Sequence, residues 1–284
     1  IDEYNKETTM EIWRVDTDAQ TLRREPVPET WEKLGGRGLL ARIMLDEVEP
    51  TCEPLGPKNK LIYAPGLLVG QRLSSCDRLS VGGKSPLTGG IKEANAGGRT
   101  GLHMAMMGIK ALILEGKPKA GGWWILHLSQ EGACWEKADD LAGAGIYEVT
   151  PKLLERYGQH VAIALIGLAG EVGLASAGIQ NIDKDRIPSR MAARGGLGAV
   201  MGSKGLKAII FDNAGGQNPP QDDPDNYKST RKSYTTAVIN HPQSQVYKDY
   251  GTAAMTMMCN ALGALPTRNF SSGEFEEAES ISGE

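Results

Sequence analysis

The stretch Ser189-Arg-Met-Ala-Ala-Arg-Gly-Gly-Leu-Gly-Ala-Val-Met-Gly-Ser-Lys-Gly-Leu-Lys-Ala-Ile-Ile210 decides how the chain is read. It opens with Arg190 and Arg194, passes through a Gly-Gly-Leu-Gly run and ends in a short apolar strand. Glycine has no Cβ, so the backbone here can come close to a ligand. If the segment after Gly198 is helical, its first N–H groups face whatever the arginines face. Arginine adds a planar fork of donors suited to phosphate. The stretch therefore reads as an anion cradle.

Asn95-Ala-Gly-Gly-Arg-Thr-Gly-Leu-His-Met-Ala-Met-Met-Gly-Ile-Lys-Ala-Leu-Ile-Leu-Glu115 repeats the design, from a Gly-Gly pair to Gly-x-Lys-Ala and a strand. Pairing Gly97 with Gly195 gives an offset of 98, and pairing Gly108 with Gly205 gives 97. Upstream, Leu61-Ile-Tyr-Ala-Pro-Gly-Leu-Leu-Val-Gly70 is echoed by Ala162-Ile-Ala-Leu-Ile-Gly-Leu-Ala-Gly170. Two tandem units predict a duplicated fold with a pseudo-two-fold axis, suited to a ligand with two similar halves. The second unit is expected to run from about Val161 to Phe211.

The chain has 284 residues, with 31 basic against 35 acidic side chains and a formal charge of -4. No long Lys/Arg run points to nucleic acid, and no apolar run is long enough to cross a membrane. Cys52, Cys76, Cys134 and Cys259 form no C-x-x-C pair. They read as free thiols in a reducing compartment, with no cysteine motif for an iron–sulfur cluster. The cytoplasm is the expected location.

Residues 10–16 alternate as a first strand with 21–28 as its hairpin partner. Helices are expected over 28–34 and 39–47, separated by Gly35-Gly36-Arg37-Gly38. Strands follow at 60–64, 78–81, 111–115 and 123–128, with helices at 100–107 and 149–157. Composition shifts at residues 213–226, which read as a linker rich in Gly, Pro and Asp. Beyond it, 227–239 and 244–262 read as helices and 265–270 as an extended passage. The domains so drawn are 1–212, the linker, and 227–284 as the start of a helical domain. The fold class is α+β, with duplicated β-rich repeats followed by a partial helical region.

Arg78, Arg190 and Arg194 beside two cradles would suit a ligand with two phosphates, the alternative being surface ion pairing. Gly196-Leu-Gly-Ala-Val-Met-Gly202 is a weak dinucleotide fingerprint, because polar residues precede it where an apolar strand is needed. His103 reads as packing, and Met255, Met257, Met258 and Cys259 as soft filling of a helical core. No nucleophile–base pair can be assembled.

Leu34-Gly-Gly-Arg-Gly-Leu39, Lys84-Ser-Pro-Leu-Thr-Gly89, Ala94-Asn-Ala-Gly-Gly98, Arg194-Gly-Gly-Leu-Gly-Ala-Val-Met-Gly-Ser-Lys204 and Tyr250-Gly-Thr252 resemble the aldehyde ferredoxin oxidoreductase family. The resemblance runs in order from about residue 10 to the end. It implies an amino-terminal base of two β-rich repeats carrying a tungsten, or molybdenum, bis-pterin cofactor. By the same resemblance, Arg78, Asn95, Ala96, Gly97, Arg190, Met191, Ala193 and Arg194 contact the pterins. Main-chain carbonyls of Asn95 and Met191 are implied to hold a magnesium ion bridging the two phosphates. The family has a small residue at Met191 and a glycine at Ala193, so the loop is expected to differ there.

The resemblance further implies oxidation of small-molecule aldehydes to carboxylic acids, with ferredoxin or a ferredoxin-like subunit taking the electrons. A homo-oligomer is a possible assembly. The family's 4Fe-4S cluster cysteines and catalytic glutamate and histidine are expected only downstream of this segment. Two other readings stand beside this one: a non-catalytic cofactor-binding module, and a reductive enzyme of the superfamily acting on an aromatic acyl-thioester. A nicotinamide-linked dehydrogenase is the remotest.

Overall fold

The computed structural model describes residues 10–119 and 121–283. Residues 1–9, where the first domain as drawn begins, lie outside them. The chain forms two compact units, divided after Pro220.

The first unit contains two repeats. The first runs β1 (Glu11–Asp16), β2 (Thr21–Pro26), α1 (Glu29–Glu32), α2 (Gly36–Glu47), β3 (Leu61–Pro65), β4 (Leu79–Lys84), β5 (Ile91–Ala96), α3 (Thr100–Met106) and β6 (Ile109–Glu115). The second runs β7 (Trp124–Ser129), β8 (Gly132–Lys137), α4 (Ile146–Tyr157), β9 (Ala162–Leu165), α5 (Leu168–Glu171), β10 (Ile179–Asn181), β11 (Arg190–Ala192), α6 (Leu197–Ser203) and β12 (Leu206–Phe211). Each builds a six-stranded sheet, ordered β2-β1-β6-β3-β4-β5 in one and β8-β7-β12-β9-β10-β11 in the other. The pairing senses agree at every step: only β1–β6 and β7–β12 are parallel. The duplication is therefore complete, and the second repeat begins at Trp124 rather than near Val161. The strand expected at 123–128 is β7, but its hairpin partner β8, Gly-Ala-Cys-Trp-Glu-Lys, lacks a clean alternation, so the expected boundary left both outside the repeat.

Successive side chains of a strand point to opposite faces, so an apolar run divides by parity between two cores. In β3, Leu61 and Tyr63 enter the core between the sheets, while Ile62 and Ala64 face α2. Ala162 and Ala164 of β9 likewise enter the inter-sheet core, and Ile163 and Leu165 pack with α4. The layers are thus α2, sheet, sheet, α4. Residues of α3 and α6, among them Met104, Leu197 and Val200, fill the same inter-sheet core.

The repeated Gly-x-Lys-Ala motif has a structural cause. Glu11 pairs Ile109 and Ile12 pairs Ala111, so Lys110 is an extra residue, a bulge in β6. Lys207 is the extra residue at the same place in β12. Each lysine reaches a carbonyl outside its strand: Lys110 Nζ donates to Glu32 O (2.6 Å) and Lys207 Nζ to Ala144 O (2.9 Å). Lys207, wholly buried, also pairs with Glu171.

Two helix boundaries differ from expectation. Gly35-Gly36 does not stop a helix but starts α2, with Gly35 as its extended N-cap. The helix read over 28–34 shrinks to the four residues of α1. Of the stretch read as a linker, residues 213–220 lie on the first unit. Gln217 N–H donates to Met106 O (3.0 Å), and the Gln71 amide to Pro219 O (3.2 Å).

The second unit holds α7 (Pro224–Asn240), α8 (Pro242–Tyr250) and α9 (Thr256–Ala261). Asp223 caps α7 by accepting from Asn226 N–H (3.0 Å), ahead of a first-turn proline. The single helix expected over 244–262 is broken at Gly251, whose φ of +61° ends α8. Met257 and Met258 are exposed rather than core, and residues 268–270 form a left-handed turn, not an extended passage.

Lys204 joins the repeats. It is 1% exposed, and its Nζ donates to Asn59 O (2.7 Å) and Gly116 O (2.9 Å). Burial pushes its pKa down to about 7, well under its value of about 10.4 in water. Between those values the unfolded chain keeps a proton that the folded chain releases, so stability from this group rises with pH. Denaturation profiles from pH 7 to 10 should show this rise in the wild type and a flatter curve in Lys204→Met. Parallel curves would assign the dependence elsewhere.

Candidate functional site

The site lies where the edge strands β5 and β11 of the two sheets approach each other. Their registers fix which positions correspond. Tyr63 pairs Leu112 as Ala164 pairs Ile209, Ala64 pairs Ser80 as Leu165 pairs Gln180, and Ser80 pairs Asn95 as Gln180 pairs Met191. Asn95 and Met191 therefore occupy one position of the repeat. By the same ladders Ala96 matches Ala192, Gly97 matches Ala193 and Arg78 matches Gly178, which replaces the sequence pairing of Gly97 with Gly195.

Arg78 and Arg190 flank Gly97. A Cβ built on Gly97 would lie 3.2 Å from a terminal nitrogen of Arg78 and 3.9 Å from Arg190 Cδ. The missing Cβ leaves a slot between two guanidinium arms. Arg78 Nε donates to Asn95 Oδ1 (2.6 Å). Arg78, Arg190, Met191, Ala193 and Arg194 are exposed, Asn95 and Gly97 half-buried. Ala96 is buried and faces the inter-sheet core, so only its main chain is available. Among the described residues, no carboxylate lies within ion-pair distance of Arg78, Arg190 or Arg194.

Loops crossing the axis hold the edges. Arg99 N–H donates to Ile182 O (3.1 Å), and Ser85 Oγ donates to Gly195 O (2.7 Å). Arg190 is presented by residues 183–189, which Asp183 organises. Its carboxylate accepts from Asp185 N–H (2.8 Å), Ile187 N–H (3.0 Å) and Ser189 Oγ (2.8 Å). Burial opposes the charge, but these donors and the nearby Arg190 outweigh it and hold the carboxyl below its ordinary pKa. Asn181, wholly buried, donates to Arg190 O (3.2 Å). Sequence reasoning missed Asp183, Asn181 and the side-chain role of Asn95. An aspartate two and four residues before its amide donors is a turn signal that could have exposed the first.

The second glycine run is not the ligand cradle expected. Gly198 N–H is taken by Ala177 O (2.8 Å). A Cβ on Gly196, Gly198 or Gly202 would lie 2.0, 2.3 or 2.2 Å from the carbonyl oxygens of Ala175, Gly178 or Gly170. These glycines let backbone pack on backbone inside the second repeat. His103 is packing, as read: its Nδ1 meets Phe211 O (2.9 Å), and burial lowers its pKa to about 4, leaving the ring neutral.

The group implied by the resemblance carries two phosphates, and the donors fit that feature. Arg78 and Arg190, with no carboxylate in ion-pair distance among the described residues, flank a glycine slot between two edges that share one position of the repeat. Among the described residues no cluster of three or more His, Cys, Asp or Glu side chains could hold a metal.

Residues 12–213 match the family model described as aldehyde ferredoxin oxidoreductase, N-terminal domain, and residues 229–284 match that for domains 2 and 3. The chain is 36% identical to a tungsten-containing aldehyde ferredoxin oxidoreductase of Pyrococcus abyssi, over 96% of this chain and 44% of that protein. It is 30% identical to an aliphatic sulfonate oxidoreductase, WOR-like subunit, of Pyrococcus furiosus, over 64% of this chain and 30% of that one. The solved active-site complex BamBC of benzoyl coenzyme A reductase, bound to 1,5-dienoyl-CoA, superposes with a TM-score of 0.74. Its identity is 29%, over 84% of this chain and 35% of that chain. The chain thus spans less than half the length of these relatives.

Gly97 has no left-handed φ, so Gly97→Val fills the slot without backbone strain, whereas Gly98 has φ +97° and would clash with Ile182 O at 2.6 Å. Pyrophosphate titration should find Gly97→Val weaker by about tenfold, the loss of one charge-assisted hydrogen bond. Gly98→Ala should instead lower the melting temperature. Unchanged affinity in Gly97→Val would empty the slot of its function.

Proposed function

Because the chain belongs to the aldehyde ferredoxin oxidoreductase family, we propose that it is the cofactor-binding part of a tungsten, or molybdenum, bis-pterin oxidoreductase. Its reaction is the oxidation of an aldehyde to a carboxylic acid, with electrons passed to ferredoxin. The observation that carries the reading is the pair of equivalent edge positions, Asn95 and Met191, with Arg78 and Arg190 on either side of Gly97 and, among the described residues, no carboxylate within ion-pair distance of either. When bound, the metal and its dithiolene sulfurs supply the two-electron chemistry.

The residues of this chain bind and orient. Arg78 and Arg190 take phosphate oxygens on either side of Gly97, with Arg194 beside them. The main chain at Ala96, Gly97 and Ala193 allows close approach. Main-chain carbonyls of Asn95 and Met191 would hold a magnesium ion there, oxygen being the ligand such a hard cation prefers. Two rigid sheets under the site fix the group against substrate. An iron–sulfur cluster would draw its cysteines from outside residues 1–284, and residues 227–284 would begin the helical domain that continues the protein. Among the described residues no helix is long and apolar enough to cross a membrane. All four cysteines are free, in keeping with a cytoplasmic setting.

The likeness to the benzoyl coenzyme A reductase complex favours a second reading, reduction of an aromatic acyl-thioester on the same base. Assay of the native protein with aldehydes and with aromatic acyl-thioesters separates the two.

Metal analysis and intact mass on native protein test the primary reading, with tungsten or molybdenum and iron in a polypeptide longer than 284 residues as the expected result. Arg190→Ala should bind markedly less of the metal per chain. Metal content equal to wild type would count against it.

A further inference from the structure

The two halves of the site share a main-chain frame but not its side chains. Arg78 has no counterpart in the second repeat, where Gly178 occupies its position and a Cβ would lie 3.1 Å from Ala193 Cα. Asn95 corresponds to Met191, which offers no hydrogen bond of comparable strength. Arg190 stands where the first repeat has Ala94. The Arg78–Asn95 pair is thus particular to one half.

We propose that the side chain of Asn95 is a positioning residue for Arg78, and that it fixes how that arginine grips one phosphate only. This rests on the reading of the site as a phosphate-binding base. A guanidinium can take an oxyanion side-on, through Nε and one terminal nitrogen, or end-on, through both terminal nitrogens. The 2.6 Å bond from Arg78 Nε to Asn95 Oδ1 occupies Nε and closes the side-on mode. What stays open is the terminal edge, and one of its nitrogens already stands beside the Gly97 slot. Asn95 lies opposite Ser80 in a regular ladder, so its backbone is held independently of any ligand.

The chemistry of the acceptor matters as much as its place. An amide oxygen is neutral, so it orients Arg78 and leaves the full positive charge for the anion. An aspartate would orient the same group and cancel that charge. The second half needs no such device, because Arg190 is set by the Asp183 turn and by Asn181 on its carbonyl.

Calorimetric titration of the metal-free, full-length protein with inorganic pyrophosphate, across a range of NaCl, tests this. Arg78→Ala is expected to weaken binding about tenfold and Asn95→Ala about fourfold. The double variant should be no weaker than Arg78→Ala alone, because Asn95 acts through Arg78. Asn95→Asp keeps an acceptor in place and should weaken binding about tenfold while flattening the salt dependence. Asn95→Ala weakening by the same factor with and without Arg78, or Asn95→Asp binding as wild type does, would overturn the proposal.

A readout without ligand separates this from the phosphate reading. Exchange of the Arg78 Nε–H, followed by NMR in arginine-labelled protein, should be slow in the wild type and fast in Asn95→Ala. Fast exchange in both would overturn the positioning role even if pyrophosphate binds. Slow exchange in a wild type that does not bind pyrophosphate would support the positioning contact and overturn the phosphate reading.

Discussion

The first unit depends on two strands, β6 and β12, that run through the middle of their sheets. Every residue of β12 is buried, and in β6 only the bulged Lys110 and the terminal Glu115 reach partway to water. Such strands need an apolar layer on both sides, and the four layers follow from that need. Because the centre is sealed, main chain that a ligand can reach lies at the edges. On one side the edges are β2 and β8, ends of hairpins. On the other they are β5 and β11, which face each other, and the arginines gather there.

The repeat was legible in the sequence because its signature sits in the most constrained part. Gly-x-Lys-Ala joins a left-handed glycine, Gly108 or Gly205, to a strand whose lysine two residues on is bulged out of register with its partner strand. The apolar runs of β3 and β9 were legible for the same reason: double burial permits few other residues. The short strands β10 and β11 were not, since three residues give too little alternation to read, and their pairing is decided by neighbours. The breaks in the second unit escaped for a related reason: a backbone φ at Gly251 decides them, and residue type alone does not announce it.

At the site, sequence reasoning drew the arginines together for partly mistaken reasons. Arg78 and Arg190 do flank one glycine, Gly97. In the other run, Gly196 and Gly198 spend their missing Cβ atoms on contacts with Ala175 and Gly178. Glycine reports only that something comes close, and whether that is a ligand or another backbone is a tertiary fact. The side chains that hold the arginines were invisible for a different reason. Asn95, Asn181 and Asp183 become specific only through partners that the ladders bring opposite them.

The bonds that cross the axis carry one more implication. Arg99 reaches Ile182, Ser85 reaches Gly195, and Lys204 reaches Asn59 and Gly116. A single repeat would therefore be left with half of each interaction and with one bare face of its core. Such a half could build this frame only as a symmetric dimer, in which any substitution would appear on both sides at once. Joining the halves in one chain lifts that restriction. Position 95 can hold an asparagine while position 191 holds a methionine, and the two edges of a two-fold frame can present different side chains.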